Sequence, residues 1–543
     1  MAAPPLLFNC DFGGMFWNPE LWRTDPERYT AGAIHKFVDN LADQGVNTLV
    51  VNPNTKVAWY PSRAVPTVLD GYKRNDPEHF KARNPDCYWF RPDFLDPYLD
   101  LAEAGVDWLE EAITASHRRG LTAWISVRMN DPHHGANPAD PMNPPELTDA
   151  ALQLGGREAN PDCSYEMATQ GLNYARPEVR DYMLRMIREL VGDYDADGLQ
   201  LDWLRVPACC PPGADATTIE MMSEWFRAIR RLCDERAVRS GRPFPLGMRV
   251  PGNYRMLKHI GIDVAGLVQE GVLDFICASN FMQTAWDLPH DRLRRELGPN
   301  LQIFGVTELI FSFLWSRIED APTGRYLCAH PPALRANVAG KLVLGADGIE
   351  VFNFFVGDLS RRFQAMDVRS QYPALRNLTA LEQLRGQEKH YALPVAGRYC
   401  WAPPFDRAEC LPATLCPQDR LTLRLPMSAE PADGDLELVV QVIMEAGPPN
   451  DQDMGVSLNG AWPNQNGQGT DQLLFPIALH ATHIPAHRAC NFTFPVAAIV
   501  EGWNEIVICN GAREDPPPGQ SRSPACRVVG VELAVQARSR ARI

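Results

Sequence analysis

The chain has 543 residues, 45% of them hydrophobic and 22% charged, the balance of a folded protein with a sizeable core rather than a disordered one. Lys and Arg number 52 against 67 Asp and Glu, a formal charge of −15 that opposes binding to nucleic acid or anionic membranes, since both depend on clustered Lys and Arg. The length exceeds one ordinary domain, and the longest apolar runs fall short of the ~20 residues of a membrane helix.

In chain order, short β-rich runs alternate with longer helical patterns, the mark of a parallel α/β fold. Leu6–Cys10 reads as the first strand, and Ile34, Phe37, Val38 and Leu41 give a helix over Ala31–Gln44 an apolar face. Asn47–Asn52 is the second strand, Val106–Arg119 a helix stopped by Gly120, and Leu121–Val127 the third strand. Pro177 opens a further helix before the fourth strand, Gly198–Asp202, and another helix spans Thr217–Val238. Pro245–Arg249, Leu273–Ser279, Gln302–Thr307 and Gly348–Asn353 are strands five to eight, with helices expected at Ala333–Leu344 and Pro373–Leu384. Eight such units close a (β/α)8 TIM barrel over residues 1–388, and no GxGxxG or GxxxxGK[ST] supports an open nucleotide-binding sheet.

Beyond about Tyr391 the helical period ends. Leu421–Leu425, Leu436–Val442, Cys490–Phe494, Glu505–Cys509 and Val528–Ala537 alternate between Gly/Pro/Asn turns, which predicts an all-β sandwich domain over residues 389–543. Within it, Gly502-Trp-Asn-Glu-Ile-Val-Ile508 resembles the galactose-binding-like sandwiches appended to glycoside hydrolases; the simpler reading is a domain that packs on the barrel flank.

In a closed barrel the chemistry belongs to strand C-terminal ends. Those ends are polar here: Asn9 and Asp11, Asn52 and Asn54, Arg128, Asn130 and Asp131, Asp202, Arg249, Asn280, Glu308, and Glu350 or Asn353. Core packing does not explain a polar rim at one end only. In Gly198–Asp202, Leu199 and Leu201 face the helices, while Gln200 and Asp202 alternate inward. Glu308 ends the seventh strand in phase with Phe304 and Val306. Paired carboxylates across such a mouth suit cleavage of a glycosidic bond, one protonating the leaving oxygen while the other attacks or activates water. Read as packing instead, Asp202 caps the next loop and Glu308 pairs with Arg249 or Arg128.

The segment Asp197-Gly-Leu-Gln-Leu-Asp202 resembles the D-G-x-x-x-D fourth strand of retaining TIM-barrel glycoside hydrolases. Together with Trp124-Ile-Ser-Val-Arg-Met-Asn-Asp131 and Glu308, it makes the chain similar to the uncharacterised bacterial glycosyl hydrolase-like barrels. The resemblance implies a retaining glycosidase, with Asp202 as nucleophile and Glu308 as acid/base. Two departures limit it: the best-known clan with carboxylates on strands four and seven has Asn-Glu where this chain has Leu-Asp, and the α-amylase pattern has Arg where this chain has Gln200.

Asp11, Asn52, Arg128, Asn130, Asp131, His134, Trp203, Arg249, Asn280, Glu350 and Asn353 are the expected substrate-binding residues around the pair. Aromatics in the same loops, among them Phe16, Trp17, Trp22, Trp59, Tyr60, Tyr88, Trp89, Phe90, Trp286 and Trp315, suit stacking on sugar rings. No cofactor is expected. A metal at Arg128-Met-Asn-Asp-Pro-His-His134 is disfavoured by the arginine beside it, although a metal-dependent barrel enzyme acting on a small sugar or acid remains an alternative. A non-catalytic carbohydrate-binding protein is the other.

The 14 cysteines show no zinc-like or thioredoxin-like CxxC and are expected as free thiols; Cys209-Cys210 and those of the C-terminal part would bridge in an oxidising compartment. No basic leader precedes the first strand, so the expected location is cytoplasmic, or outside the cell if a leader has been removed.

Overall fold

The computed structural model describes the chain apart from residues 1–2, 12–13, 17, 77, 82–91, 132–136, 138, 156–170, 205–206, 281–283, 309, 315–324, 329, 353–371, 394–410, 433–434, 446–453, 475–486, 513–524 and 539–543. The strands β1 (Leu6–Cys10), β2 (Thr48–Val51), β3 (Thr122–Arg128), β4 (Gly198–Asp202), β5 (Leu246–Pro251), β6 (Phe275–Ser279) and β7 (Gln302–Glu308) run parallel. A hairpin of β8 (Ile310–Leu314) and β9 (Arg325–Cys328) follows, and β10 (Gly348–Phe352) closes the barrel between β7 and β1. The eight barrel strands are thus those expected from the sequence. The β8–β9 hairpin was not anticipated.

Outward residues of these strands meet amphipathic helices. The helix Ala31–Asp43 buries Ala33, Ile34, Phe37, Val38 and Leu41, and Gly45 ends it in the left-handed region at φ +83°. Asp107 caps the helix Trp108–Arg118 by accepting the amide protons of Leu109 and Glu110. The single helix expected over Pro373–Leu384 is instead a 3₁₀ turn, Tyr372–Leu375, and a short helix, Leu381–Leu384. Asn377 at φ +58° lies between them, a backbone state that no helix interior accommodates. Among the described residues no helix is long and apolar enough to cross a membrane.

Inside the barrel the end where the strands begin is packed with rings. Trp124 stacks on Phe275 at 4.5 Å, and Phe304 meets Phe275 edge-on at 5.9 Å. Three glycines on adjoining strands make room for them. A Cβ on Gly198 would lie 2.9 Å from the Trp124 ring, one on Gly247 2.3 Å from Phe275, and one on Gly348 2.9 Å from Phe304. Rings and glycines together fill this end of the cylinder.

From Lys389 onward the strands are antiparallel: β11 (Lys389–Leu393), β12 (Ala413–Leu415), β13 (Arg420–Met427), β14 (Leu436–Glu445), β15 (Met454–Leu458), β16 (Gln465–Thr470), β17 (His487–Pro495), β18 (Gly502–Asn510) and β19 (Cys526–Ala537). One sheet runs β11-β19-β14-β17-β16, with β12 also on β19; the other is β13-β18-β15. In β15 and β18 every second residue is buried, as a two-layer sandwich requires. The helix Pro331–Val343 packs on β7 from one side and on β11 and β13 from the other. Gly340 allows that approach, since a Cβ there would lie 2.8 Å from the Pro426 carbonyl. A fully buried Lys389–Glu430 ion pair at 2.7 Å and the Arg385–Glu501 pair at 2.8 Å tie the start of β11 to the sandwich loops.

Candidate active site

Strand register sets the level of the charged mouth. Arg128, Asp202 and Arg249 are direct neighbours across β3, β4 and β5, and Glu308 pairs with Phe352 across β7 and β10. Alternation turns these strand-end side chains inward over the aromatic floor.

Arg249 is the hub. Its Nη1 lies 3.4 Å from both carboxylate oxygens of Asp202, its Nη2 2.5 Å from Glu308, and its Nε 3.4 Å from Glu350. The face of Phe352 lies under the guanidinium, 3.5 Å from ring centroid to Cζ. All four charged groups are buried. Because one rigid fork holds both, the carboxyls of Asp202 and Glu308 lie within roughly 8 Å of each other. The backbone fixes them further: Asp202 accepts the Leu204 amide at 2.9 Å, and the Glu308 amide donates to Thr284 at 2.7 Å.

Beneath the hub is a polar layer. Gln200 donates to Glu350 at 2.6 Å while its carbonyl oxygen accepts from Asn9 at 3.0 Å and Ser126 at 2.6 Å. Burial pushes the Glu350 carboxyl above its ordinary range, against the pull of Arg249 and of hydrogen bonds from Gln200 and Asn9. Arg128 forms a second clamp, donating to Asp131 at 2.7 Å and to Asp11. Five buried acidic side chains (Asp11, Asp131, Asp202, Glu308 and Glu350) thus face two arginines, so acidic groups outnumber the arginines that pair with them.

The other residues expected at the site divide. Asn52 is buried and donates to the Ser126 carbonyl at 2.6 Å. Asn130 bonds to Leu172 (amide and carbonyl) and to the Ala208 carbonyl, so it braces loops instead of offering groups to a ligand. Asn280 is half-buried at the end of β6. Trp203 was expected on the substrate, but alternation turns it outward from Asp202, where it packs on Tyr174 at 4.9 Å and Phe226 at 6.1 Å. The loop aromatics inside the described residues behave alike. Phe16 packs on Tyr29 and Tyr98, Trp22 on Phe37, and Tyr60 on Tyr194, while Trp59 and Trp286 are buried. His134, Asn353, Trp17, Tyr88, Trp89, Phe90 and Trp315 lie outside the described residues.

Lys56 escaped the sequence reading. It is buried, donates to Asn143 at 2.7 Å, and is lowered by burial to about 8 although Asp131 and Asp140 pull it back up. The signal was the alternation of β2 continued past its end, Asn52, Asn54, Lys56.

Fold and site together define an α/β barrel whose mouth gathers carboxylates around two arginines. No family model matches this chain, and no curated protein matches it. Among solved structures it is similar to α-L-fucosidase isoenzyme 2 from Paenibacillus thiaminolyticus, with 16% identity and a TM-score of 0.39, over 70% of this chain and 49% of that one. It therefore spans about half the length of that fucosidase. A glycoside hydrolase family 18 N-acetylglucosaminidase from Paenibacillus barengoltzii shares 11% identity over 68% of this chain and 99% of its own, with a TM-score of 0.34. The PgaB (BpsB) glycoside hydrolase domain from Bordetella bronchiseptica shares 10% identity over 70% and 99%, with a TM-score of 0.37. Likeness of this size carries nothing about catalysis to the present chain.

Proposed function

We propose that the chain is a retaining glycoside hydrolase acting on a neutral carbohydrate at the barrel mouth, with Asp202 as nucleophile and Glu308 as acid/base. The observation that carries the reading is the convergence of these two carboxylates, from β4 and β7, on the single guanidinium of Arg249. Glycosidic cleavage passes through an oxocarbenium-like state, and fixed negative charge in a dry mouth stabilises that positive charge where it develops. The excess of acidic groups over arginines disfavours anionic sugars. Arg249 orients both side chains, and Glu308 must leave that contact and take up a proton from solvent before it can protonate the leaving oxygen. A metal-dependent reaction has less support, because Asp11 and Asp131 are engaged by Arg128.

The test is turnover of a panel of aryl glycosides. Glu308→Gln is expected to lose about 10²–10⁴-fold on substrates with poor leaving groups, and far less on dinitrophenyl glycosides, which need no proton. Proton NMR of the first-formed sugar is expected to show the anomer of the substrate. Full activity of Glu308→Gln on poor leaving groups contradicts the assignment, and the opposite anomer contradicts retention.

A further inference from the structure

Cys209 and Cys210 are adjacent in the chain and face one another, Sγ to Sγ 3.8 Å, in the loop between Asp202 and the helix Ala216–Ser240. Successive side chains of extended backbone point to opposite sides, so this loop is folded to set two thiols together. It is held in that shape. Cys209 accepts the Tyr174 amide at 2.8 Å, Cys210 donates its amide to Ile260 at 3.0 Å, and the amides of Gly213 and Ala214 both reach the His259 carbonyl at 3.0 Å. Against Cys210 lies Gly261, whose added Cβ would be 3.1 Å from the sulfur. Burial pushes the Cys209 thiol well up, whereas the hydrogen bond from Cys209, aided by Arg180, holds Cys210 below its ordinary value.

We propose that Cys209 and Cys210 form a reversible oxidation site that closes as a vicinal disulfide, with a small-molecule disulfide as oxidant. Both side chains are buried, so the oxidant reaches them when the loop opens locally; the Cys210 thiolate then attacks one sulfur of that oxidant, whose S–S bond breaks and releases one thiol. Cys209 then gives up its proton and attacks Cys210 Sγ in the mixed disulfide, releasing the second thiol. The oxidant takes two electrons, and the two protons lost from the cysteines end on the released thiols. The sulfurs must close from 3.8 Å to about 2.05 Å. Adjacent Cα atoms are ~3.8 Å apart across a trans peptide, below the usual span of a disulfide, so the ring is strained and easily reduced. Ala208, one residue earlier, accepts from Asn130 at 2.6 Å, which ties this loop to the segment after β3.

The experiment uses folded, full-length protein incubated with oxidised glutathione, quenched in acid, alkylated and mapped by mass spectrometry, with the exposed Cys416 as internal control. The peptide bearing Cys209 and Cys210 is expected to lose about 2 Da, take up no alkyl group and recover both sites after dithiothreitol. Cys209→Ser is expected to trap a glutathione adduct on Cys210. Two alkyl groups on the pair after Cys416 has been converted, or a disulfide joining either residue to another cysteine, would overturn the proposal. Neither readout depends on glycoside turnover.

Discussion

The two ends of the barrel are made by the same strands and held by opposite chemistry. Where the strands begin, Trp124, Phe275 and Phe304 fill the cylinder against Gly198, Gly247 and Gly348, and the interior cluster is apolar. Where they end, Arg249 and Arg128 draw in five carboxylates. Close-packed rings contribute through burial and contact. Buried ion pairs, by contrast, do little more than offset the cost of taking their charges out of water. The difference sets apolar packing at one end and mutually dependent charges at the other.

That contrast can be broken at either end. The largest stability effect is expected from Arg249→Met, which leaves Asp202, Glu308 and Glu350 without their shared cation and is expected to cost about 3–5 kcal/mol in urea denaturation at neutral pH. A loss near zero would show that the three carboxyls do not depend on the shared cation. Next is Gly247→Ala, whose methyl would lie 2.3 Å from Phe275 and is expected to cost about 1–3 kcal/mol with turnover per folded molecule kept. Phe275→Leu in the same chain should recover part of that cost.

The smallest effect concerns pH. Glu350 titrates above its ordinary 4.5 in the folded chain, so the folded state holds its proton more firmly than the unfolded one. Its contribution is greatest below pH 4.5 and declines as pH rises through the raised value. Glu350→Gln lacks the titration, so its Tm relative to wild type should climb as pH rises from 4.5 to neutrality. A constant gap would remove Glu350 from the coupled cluster.

Much of this was legible in the sequence, for reasons that differ by region. Strands β1 and β4 stand at the expected boundaries because Leu6–Cys10 and Gly198–Asp202 are short buried runs bounded by turn residues. The inward phase of Gln200, Asp202 and Glu308 followed from the two-residue period alone. The packing alternatives were legible too: Glu308 does pair with Arg249, and Asp202 does accept an amide of the next loop. What a period cannot show is that the same Arg249 also serves Asp202 and Glu350, or that Asn130 is spent on loop carbonyls; closure brings those distant segments together. Trp203 has the residue type of a sugar-stacking ring, but alternation points it away from Asp202 and into the packing against Tyr174. The pattern over Pro373–Leu384 fits one helix, but Asn377 in the left-handed region divides it, a state that the residue sequence does not reveal.

The most direct measurement compares turnover and Tm for Asp202→Asn, which keeps an acceptor for the Leu204 amide. Turnover of aryl glycosides is expected to fall about 10³-fold or more, while Tm moves by no more than about 2–4 °C. Turnover kept at the wild-type rate, with a collapse in Tm, would make this carboxylate a strut for Arg249 and contradict its role as nucleophile.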